Sequence, residues 1–164
     1  VSESYRNDIG IITPNNWVIS QAIDLTSYSA SSSIVLQWKV RAPDWSFDKE
    51  RYSVYAAVGN QETDFTSSTV TVFEDLDDSD ASGSWANRSL NISSLAGNEV
   101  YIAFRHHASA FQDQINLDDI SITSSTLGVN DFNVETRFVS NIRNHISGAR
   151  FTCTISKRRI VDWH

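Results

Sequence analysis

The sequence predicts an all-β protein, a jelly-roll β-sandwich over residues 1–125 that is followed by a short basic C-terminal appendage over residues 126–164. Apolar and polar residues alternate in several short segments, which is the period of a strand with one buried face. Clusters of Ser, Asn, Asp and Gly separate these segments, and no stretch before residue 126 has a helical period. Short strands punctuated in this way are typical of a β-sandwich.

The predicted strands follow one another along the whole of the first region. In the clearest of them, 34–41, the apolar residues from Ile34 to Val40 occupy every second position and should share one buried face. The remaining strands are expected at 17–20, 22–25, 52–58, 70–72, 90–92, 100–107 and 115–122.

The segment 100–107 also carries polar side chains that could bind a ligand. Its apolar residues take one face, which leaves Tyr101, Arg105 and His107 together on the other. These three could line a ligand groove, or they could form an ordinary cluster on the surface of a sheet. His106 and His107 are adjacent and must point to opposite faces, so they cannot chelate one ion together.

The alternation in segment 115–122 changes phase at two adjacent carboxylates, Asp118 and Asp119. A change of phase within a strand predicts a β-bulge. Asp118 is in phase with Ile120 and Ile122, so we expect it to point inward, where an unpaired carboxylate is costly. It is then either a ligand of a structural metal ion or a strand-end carboxylate satisfied by Arg105 or by loop amides.

Calcium is the ion that such a site would hold, because calcium takes carboxylate and carbonyl oxygens in a flexible geometry. Glu3 or Asp8, near the start of the chain, and nearby carbonyl oxygens are the expected co-ligands of Asp118, with Asp119 assisting. An ion coordinated in this way is structural, and we expect it to stabilise the fold rather than to take part in a reaction.

Trp45 and Phe47 lie in a predicted loop, 43–48, between two strands. Aromatic side chains exposed on a loop are stacking platforms for sugar rings or for protein side chains. The same residues could instead tuck under the loop as a small core, and the sequence leaves both arrangements open.

The charge distribution excludes some classes of partner. Residues 1–125 carry 17 acidic and 7 basic side chains, whereas residues 126–164 carry 3 acidic and 6 basic ones. An acidic surface cannot neutralise phosphates, so we expect the main region to bind no nucleic acid. No run approaches the roughly 18 apolar residues of a membrane-spanning helix, so no membrane span is expected.

No catalytic motif is present in the sequence. The chain lacks a Gly-x-Ser-x-Gly elbow, a His-Glu-x-x-His pair and a phosphate-binding Gly loop. Its single cysteine, Cys153, has no sequence context for a nucleophile. We therefore expect a binding protein and not an enzyme.

Five sequence segments, taken in their order along the chain, resemble those of one known family. They are the segments 16–25, 40–44, 52–55, 100–106 and 116–120. Together they resemble the cleaved-adhesin, or choice-of-anchor, jelly-roll domain of secreted bacterial proteins. That group includes the adhesin regions of gingipains, and it is related in architecture to MAM domains and to calcium-bearing carbohydrate-binding modules.

The resemblance implies a secreted or cell-surface module that has no enzymatic activity and binds a host or matrix protein. It leaves open a second function, a carbohydrate-binding accessory module of a secreted enzyme, in which Trp45, Phe47 and Tyr101 would stack on sugars. The phrase 127–132 resembles the junction to a secretion sorting region, so residues 126–164 are expected to be a linker and a tail. Apolar spacing within this tail predicts a helix over 138–146 and a strand over 151–155.

Overall fold

The computed structural model describes residues 1–29, 31–125 and 141–143. Within these residues the chain forms twelve strands, one α-helix and one turn of 3-10 helix. The strands are β1 (Ser2–Glu3), β2 (Tyr5–Arg6), β3 (Gly10–Ile11), β4 (Asn15–Ile19), β5 (Ile23–Asp24), β6 (Ser33–Arg41), β7 (Arg51–Ala57), β8 (Thr71–Asp75), β9 (Ala86–Asn91), β10 (Glu99–His107), β11 (Gln114–Ser125) and β12 (Asn141–Arg143). The helix, α1, spans Glu62–Thr66, and the 3-10 turn spans Ser93–Leu95.

Two antiparallel sheets make up the body of the molecule. The first sheet has the strand order β1-β11-β6-β9. The second has the order β12-β4-β10-β7-β8, with β5 paired to one end of β10. β2 and β3 form a separate hairpin. This arrangement confirms the all-β sandwich that the alternation of apolar residues predicts.

The core lies between the two sheets and is built from the alternating apolar side chains of β6, β7 and β10. Burial along β6 follows the predicted alternation, since Leu36 and Trp38 are buried while Gln37 between them is exposed. The rings of Trp38 and Phe104 meet edge to face between the sheets, with centroids 5.8 Å apart. Each large apolar side chain removed from water contributes about 1.5–3 kcal/mol, and this burial holds the two sheets together.

One short helix, α1, interrupts the β structure, and the sequence pattern did not predict it. Its first turn is closed by Asp64, whose Oδ2 accepts a hydrogen bond from the backbone amide of Gln61 at 2.9 Å. Its buried side chain, Phe65, packs against Trp17 and Tyr55 on the outer face of the second sheet. A helix of five residues is too short to show a period. Neither helical segment of the described chain has the length and apolarity to cross a membrane.

The phase change in β11 is a β-bulge, as predicted, but it leaves Asp118 on the outer side of the sheet. The pairing sets Asp118 opposite Lys39 and then shifts before Ser121. Asp119 takes part in the shift, with a positive φ of 49°. Lys39 points away from the core, and residues opposite each other share a face, so the expectation of an inward Asp118 is wrong. The phase changes after Asp118 and not before it.

Part of the C-terminal region pairs with the second sheet. β12 runs antiparallel to β4, with Ile142 opposite Val18. The helix predicted over 138–146 is therefore wrong at the three residues that the structure describes there. A short isolated helix is marginal in water, whereas the edge of β4 offers unpaired backbone groups. The rest of that helix and the strand predicted over 151–155 fall outside the described residues, and the division at residue 125 stays a prediction.

A buried polar network joins the start of the chain to the sandwich. Glu50 Oε2 lies 2.7 Å from His106 Nε2, and the other imidazole nitrogen, Nδ1, lies 2.7 Å from the hydroxyl of Ser2. Ser4 donates a hydrogen bond to the second carboxylate oxygen, Oε1, at 2.7 Å, and Asn16 donates to Ser2 at 2.9 Å. Glu50 is 0% exposed and His106 3% exposed, yet every oxygen and nitrogen of these two side chains has a partner.

Replacing Glu50 with alanine is expected to lower the free energy of unfolding by about 3 kcal/mol, because His106 and Ser4 remain buried without their partner. Urea denaturation of the variant and the parent protein measures this difference. Glu62→Ala is the matched control, since Glu62 is exposed on α1 and its loss should change the free energy by less than about 0.5 kcal/mol. An unchanged unfolding free energy in Glu50→Ala would contradict a stabilising role of the network.

Candidate ligand-binding site

The loops at one end of the sandwich pack against one another, and we term this region the loop end. It consists of segments 42–50, 76–85 and 108–113 and the residues around Tyr5. Backbone hydrogen bonds connect these pieces. The backbone amide of Asp113 donates to the carbonyl oxygen of Phe47 at 3.3 Å, and the amide of Ser4 donates to the carbonyl oxygen of Asp113 at 3.1 Å. The amide of Gly83 donates to the carbonyl oxygen of Ala42 at 2.7 Å. The loop end is therefore a hydrogen-bonded surface carried by a rigid sandwich.

The two aromatic residues predicted as stacking platforms are exposed on the loop end. Trp45 is 77% exposed and Phe47 44% exposed. The two rings are therefore exposed on the loop and are not tucked under it as a small core, the other arrangement that the sequence left open. Trp85, which is 41% exposed, adds a further ring to this region. The guanidinium of Arg41 stacks over Trp85 at 4.7 Å from the ring centroid, whereas Trp45 presents most of its surface to solvent.

Beside Phe47 the loop end contains a cleft of about 270 Å³, which we term the aromatic–acidic cleft. It is lined by Tyr5, Asp44, Phe47, Phe111, Gln112 and Asp113. The ring of Phe111 lies 5.6 Å from that of Tyr5 and 6.4 Å from that of Phe47, edge to face in both pairs. The sequence indicated Phe47 but gave no signal for Tyr5 or Phe111, because these rings meet only when the start of the chain packs against the loop 108–113.

The charges around Asp113 are negative. Burial, followed by the charges of Asp44, Glu50 and Glu3, raises the pKa of Asp113 above its usual range. Asp44 accepts a hydrogen bond from the backbone amide of Ser46 at 2.8 Å, which fixes the direction of its carboxylate. Within the described part of the chain, neither Asp44 nor Asp113 forms an ion pair. The cleft thus combines aromatic walls with uncompensated negative charge.

Tyr101, Arg105 and His107 share the outer face of β10, as the alternation predicts. The guanidinium of Arg105 stacks over the ring of Trp17 at 4.8 Å and donates to Asn15 Oδ1 at 2.8 Å. These residues belong to the surface of the second sheet and not to the loop that carries the exposed tryptophan. The predicted ligand-binding residues therefore divide between two surfaces, the loop end and this sheet face.

His107 is a neutral hydrogen-bonding group on the sheet face. Its Nε2 lies 2.8 Å from the hydroxyl of Ser53, and its ring lies 5.8 Å from that of Phe73, which is 56% exposed. Burial, followed by the charges of Arg105 and His106, lowers the pKa of His107 to about 4. The imidazole is consequently uncharged at neutral pH. Phe73 extends this surface, and the sequence did not indicate it because it is a lone aromatic residue in a short strand.

The four predicted metal ligands do not gather in one place; they are Glu3, Asp8, Asp118 and Asp119. The first two contact Arg6, at 3.4 and 2.9 Å, and Asp119 contacts Lys39 at 2.7 Å. Asp118 Oδ1 accepts a hydrogen bond from the backbone amide of Asp119, its neighbour within β11, at 2.8 Å. No three His, Cys, Asp or Glu side chains of the described residues are placed to hold a metal ion. These four do not fit one coordination sphere, and calcium binding stays a prediction.

Residues 1–122 match one protein family, the Cleaved Adhesin Domain. Gingipain R1 and Lys-gingipain of Porphyromonas gingivalis are each 31% identical to this chain over 135 residues, which is 76% of its length. Hemagglutinin A of the same organism is 30% identical over 134 residues, or 75% of the chain. The chain spans only 7% of the length of the two gingipains and 6% of that of Hemagglutinin A.

Crystal structures of related domains share the fold. The K3 cleaved adhesin domain of Lys-gingipain from P. gingivalis matches with a TM-score of 0.60 at 29% identity, covering 73% of this chain and 68% of that domain. The K1 domain of the same protein matches with a TM-score of 0.57 at 29% identity, covering 77% of this chain and 72% of that one. The similarity therefore extends over the sandwich as a whole.

The lowered pKa of His107 should make stability depend on pH. A histidine in the unfolded chain titrates near 6.5 and the folded one near 4, so between these values the unfolded state binds more protons. Stability then falls as the pH falls through this window. His107→Gln, which keeps a hydrogen-bonding group beside Ser53, should reduce the fall in melting temperature between about pH 7 and pH 4.5. Thermal unfolding of both proteins checks this, and parallel pH profiles would contradict it.

Proposed function

Because the chain belongs to the Cleaved Adhesin Domain family, we propose that it is a non-enzymatic adhesion module of a secreted or surface-displayed bacterial protein. Its partner in this proposal is a host or matrix protein. The matched relatives are gingipains and a hemagglutinin, and each is many times longer than this chain. The proposal therefore concerns the binding of this module and not the activity of any whole relative.

The exposed aromatic surface of the loop end is the observation that carries the proposal. Trp45 and Phe47 are large apolar side chains held out of the core, at 77% and 44% exposure. Tryptophan is among the residues most enriched at the energetic centres of protein interfaces. A rigid sandwich that presents such residues on loops can bind a partner with little loss of its own conformational entropy.

The buried network resembles a catalytic triad but has no access to a substrate. Glu50, His106 and Ser2 have the order of carboxylate, imidazole and hydroxyl that hydrolases use to activate a serine. Ser2 is 0% exposed, however, and its oxygen also accepts a hydrogen bond from Asn16. A substrate has no access to this hydroxyl, so the arrangement serves to hold the chain start in place.

A glycan is the second candidate ligand, and the exposure of Trp45 is the observation that favours it. A flat, open indole ring can stack on the apolar face of a sugar ring. In that case the chain would be a carbohydrate-binding accessory module of a secreted enzyme. The two candidates use the same residue, so one set of variants tests both.

We predict that the chain binds at least one protein in a panel of host and matrix proteins. Trp45→Ala should weaken this binding by at least about tenfold, because an interface tryptophan commonly contributes about 2 kcal/mol or more to the binding free energy. Surface plasmon resonance with the immobilised chain measures the affinities, and a glycan array is run on the same sample. Phe73→Ala is the matched control, because Phe73 is equally an exposed aromatic residue but lies on the sheet face.

Binding to glycans alone, lost in Trp45→Ala, would replace the protein partner with the carbohydrate one. Equal losses in Trp45→Ala and Phe73→Ala would contradict the assignment of binding to the loop end. The absence of binding to every protein and glycan tested would contradict the adhesion proposal.

We also propose that calcium stabilises the domain. Residues 1–125 carry 17 acidic and 7 basic side chains, and a bound divalent cation would lower the repulsion that this excess creates. Three of the predicted ligands have a basic partner, but Asp118 has no ion pair among the described residues. Asp118 is therefore the ligand that the charges support best.

Excess calcium is expected to raise the melting temperature relative to a sample in chelator, because a ligand that binds only the native state stabilises it. Asp118→Asn should remove this rise, and Asp24→Asn, which changes an exposed carboxylate on β5 in the second sheet, should retain it. Equal midpoints with calcium and with chelator would show that calcium does not stabilise the domain. A full rise in Asp118→Asn would remove Asp118 from the ligands.

A further inference from the structure

Among the residues that the structure describes, no cation balances the negative charge of the aromatic–acidic cleft. Asp113 is partly withdrawn from solvent, and the charged groups that act on it are the carboxylates of Asp44, Glu50 and Glu3. Lys49 is the basic residue of the loop 42–50, and its ammonium is paired with Asp77 at 3.0 Å. A carboxylate in such surroundings is stabilised by any cation that can enter the cleft.

The walls of the cleft indicate what kind of cation this is. Tyr5, Phe47 and Phe111 supply ring surfaces, which attract organic cations but offer no strong ligand to a metal ion. The volume of the cleft, about 270 Å³, is smaller than the roughly 300–1,000 Å³ of typical small-molecule sites. It is large for one metal ion and suits a single side chain of a partner.

We propose that the aromatic–acidic cleft binds an arginine side chain of the partner protein, with the guanidinium at Asp113 and Asp44 and its plane against the ring of Phe47. This inference rests on the proposed adhesion function and names the residue type that the loop end recognises. Arginine fits better than lysine because a planar guanidinium stacks on aromatic rings and is more weakly hydrated than an ammonium. Two carboxylates also match its several donors.

The contacts of the cleft support a site that exists before the partner arrives. Gln112 donates its backbone amide to Ser4 Oγ at 3.1 Å, and its side-chain carbonyl accepts the amide of Lys49 at 3.2 Å. Phe111 has a positive φ of 59°, and its ring contacts those of Tyr5 and Phe47 edge to face. A pre-formed site loses less conformational entropy when it binds.

The experiment is an amide NMR titration of the full 164-residue chain, in low salt with chelator present. The probes are three blocked pentapeptides of sequence Gly-Gly-X-Gly-Gly, in which X is arginine, lysine or citrulline, the last being a neutral analogue of arginine. We expect the arginine peptide to bind at least about tenfold more tightly than the citrulline peptide, with lysine between them. The amides that shift should be those of Phe47, Phe111 and Gln112.

Three variants separate charge, ring and general effects. Asp113→Asn should weaken arginine binding by about tenfold through loss of charge, and Phe47→Leu should weaken it severalfold through loss of the ring. Glu62→Gln removes a carboxylate on α1, at the opposite end of β7, and should leave the affinity unchanged. The spectrum of each variant also shows that it is folded.

Equal affinity for arginine and citrulline, shifts confined to other regions, or an unchanged affinity in Asp113→Asn would overturn the inference. So would a titration without chelator in which calcium shifts the cleft amides and the arginine peptide does not. A protein partner whose binding survives Asp113→Asn would overturn the inference and leave the adhesion proposal standing. An arginine-selective cleft with no partner in the protein and glycan screens would support the inference while contradicting the adhesion proposal.

Discussion

One buried carboxylate, Glu50, sets the arrangement of the end of the molecule where the candidate site lies. A carboxylate with no exposed surface is costly unless each oxygen has a partner, and Glu50 obtains its partners from distant parts of the chain. His106 comes from the middle of the second sheet, and Ser4 comes from the start of the chain. The chain start must therefore be in place for the carboxylate to be satisfied, which couples β1 and its pairing with β11 to the rest of the sandwich.

The same network positions the aromatic–acidic cleft. Ser4 accepts the amide of Gln112 and donates its own amide to the carbonyl of Asp113, so the chain start and the loop 108–113 form one unit. Tyr5 follows Ser4 directly and meets the ring of Phe111. The buried side chains of Ser4 and Glu50 thus support the neighbouring side chains of Tyr5 and Phe111, which line the cleft. Rigid support beneath exposed side chains is what a binding surface needs to keep its shape.

The sheet face and the loop end differ in how many of their side chains already have a partner within the protein. On the sheet face α1 covers part of the second sheet, and Arg105 is occupied by Trp17 and Asn15. On the loop end Trp45 has few contacts, and Asp113 has no cation partner among the described residues. The exposed rings and unpaired carboxylates that could contact a partner are therefore concentrated on the loops. Loops can vary in sequence without disturbing the core between the sheets.

The sequence by itself determined the features that follow from local backbone geometry. Side chains of a strand alternate between two faces, so the pattern predicted the sandwich, the shared face of Tyr101 and His107, and the bulge near Asp119. Tertiary structure decided everything that depends on which distant segments meet. Ser4 and Gln112 are 108 positions apart, and no local pattern could show that their contact would create the cleft, nor that Arg6 and Lys39 would pair with acids expected to bind calcium. Periodicity is a property of one strand, whereas the partner of a side chain is set by the pairing and packing of all the strands together.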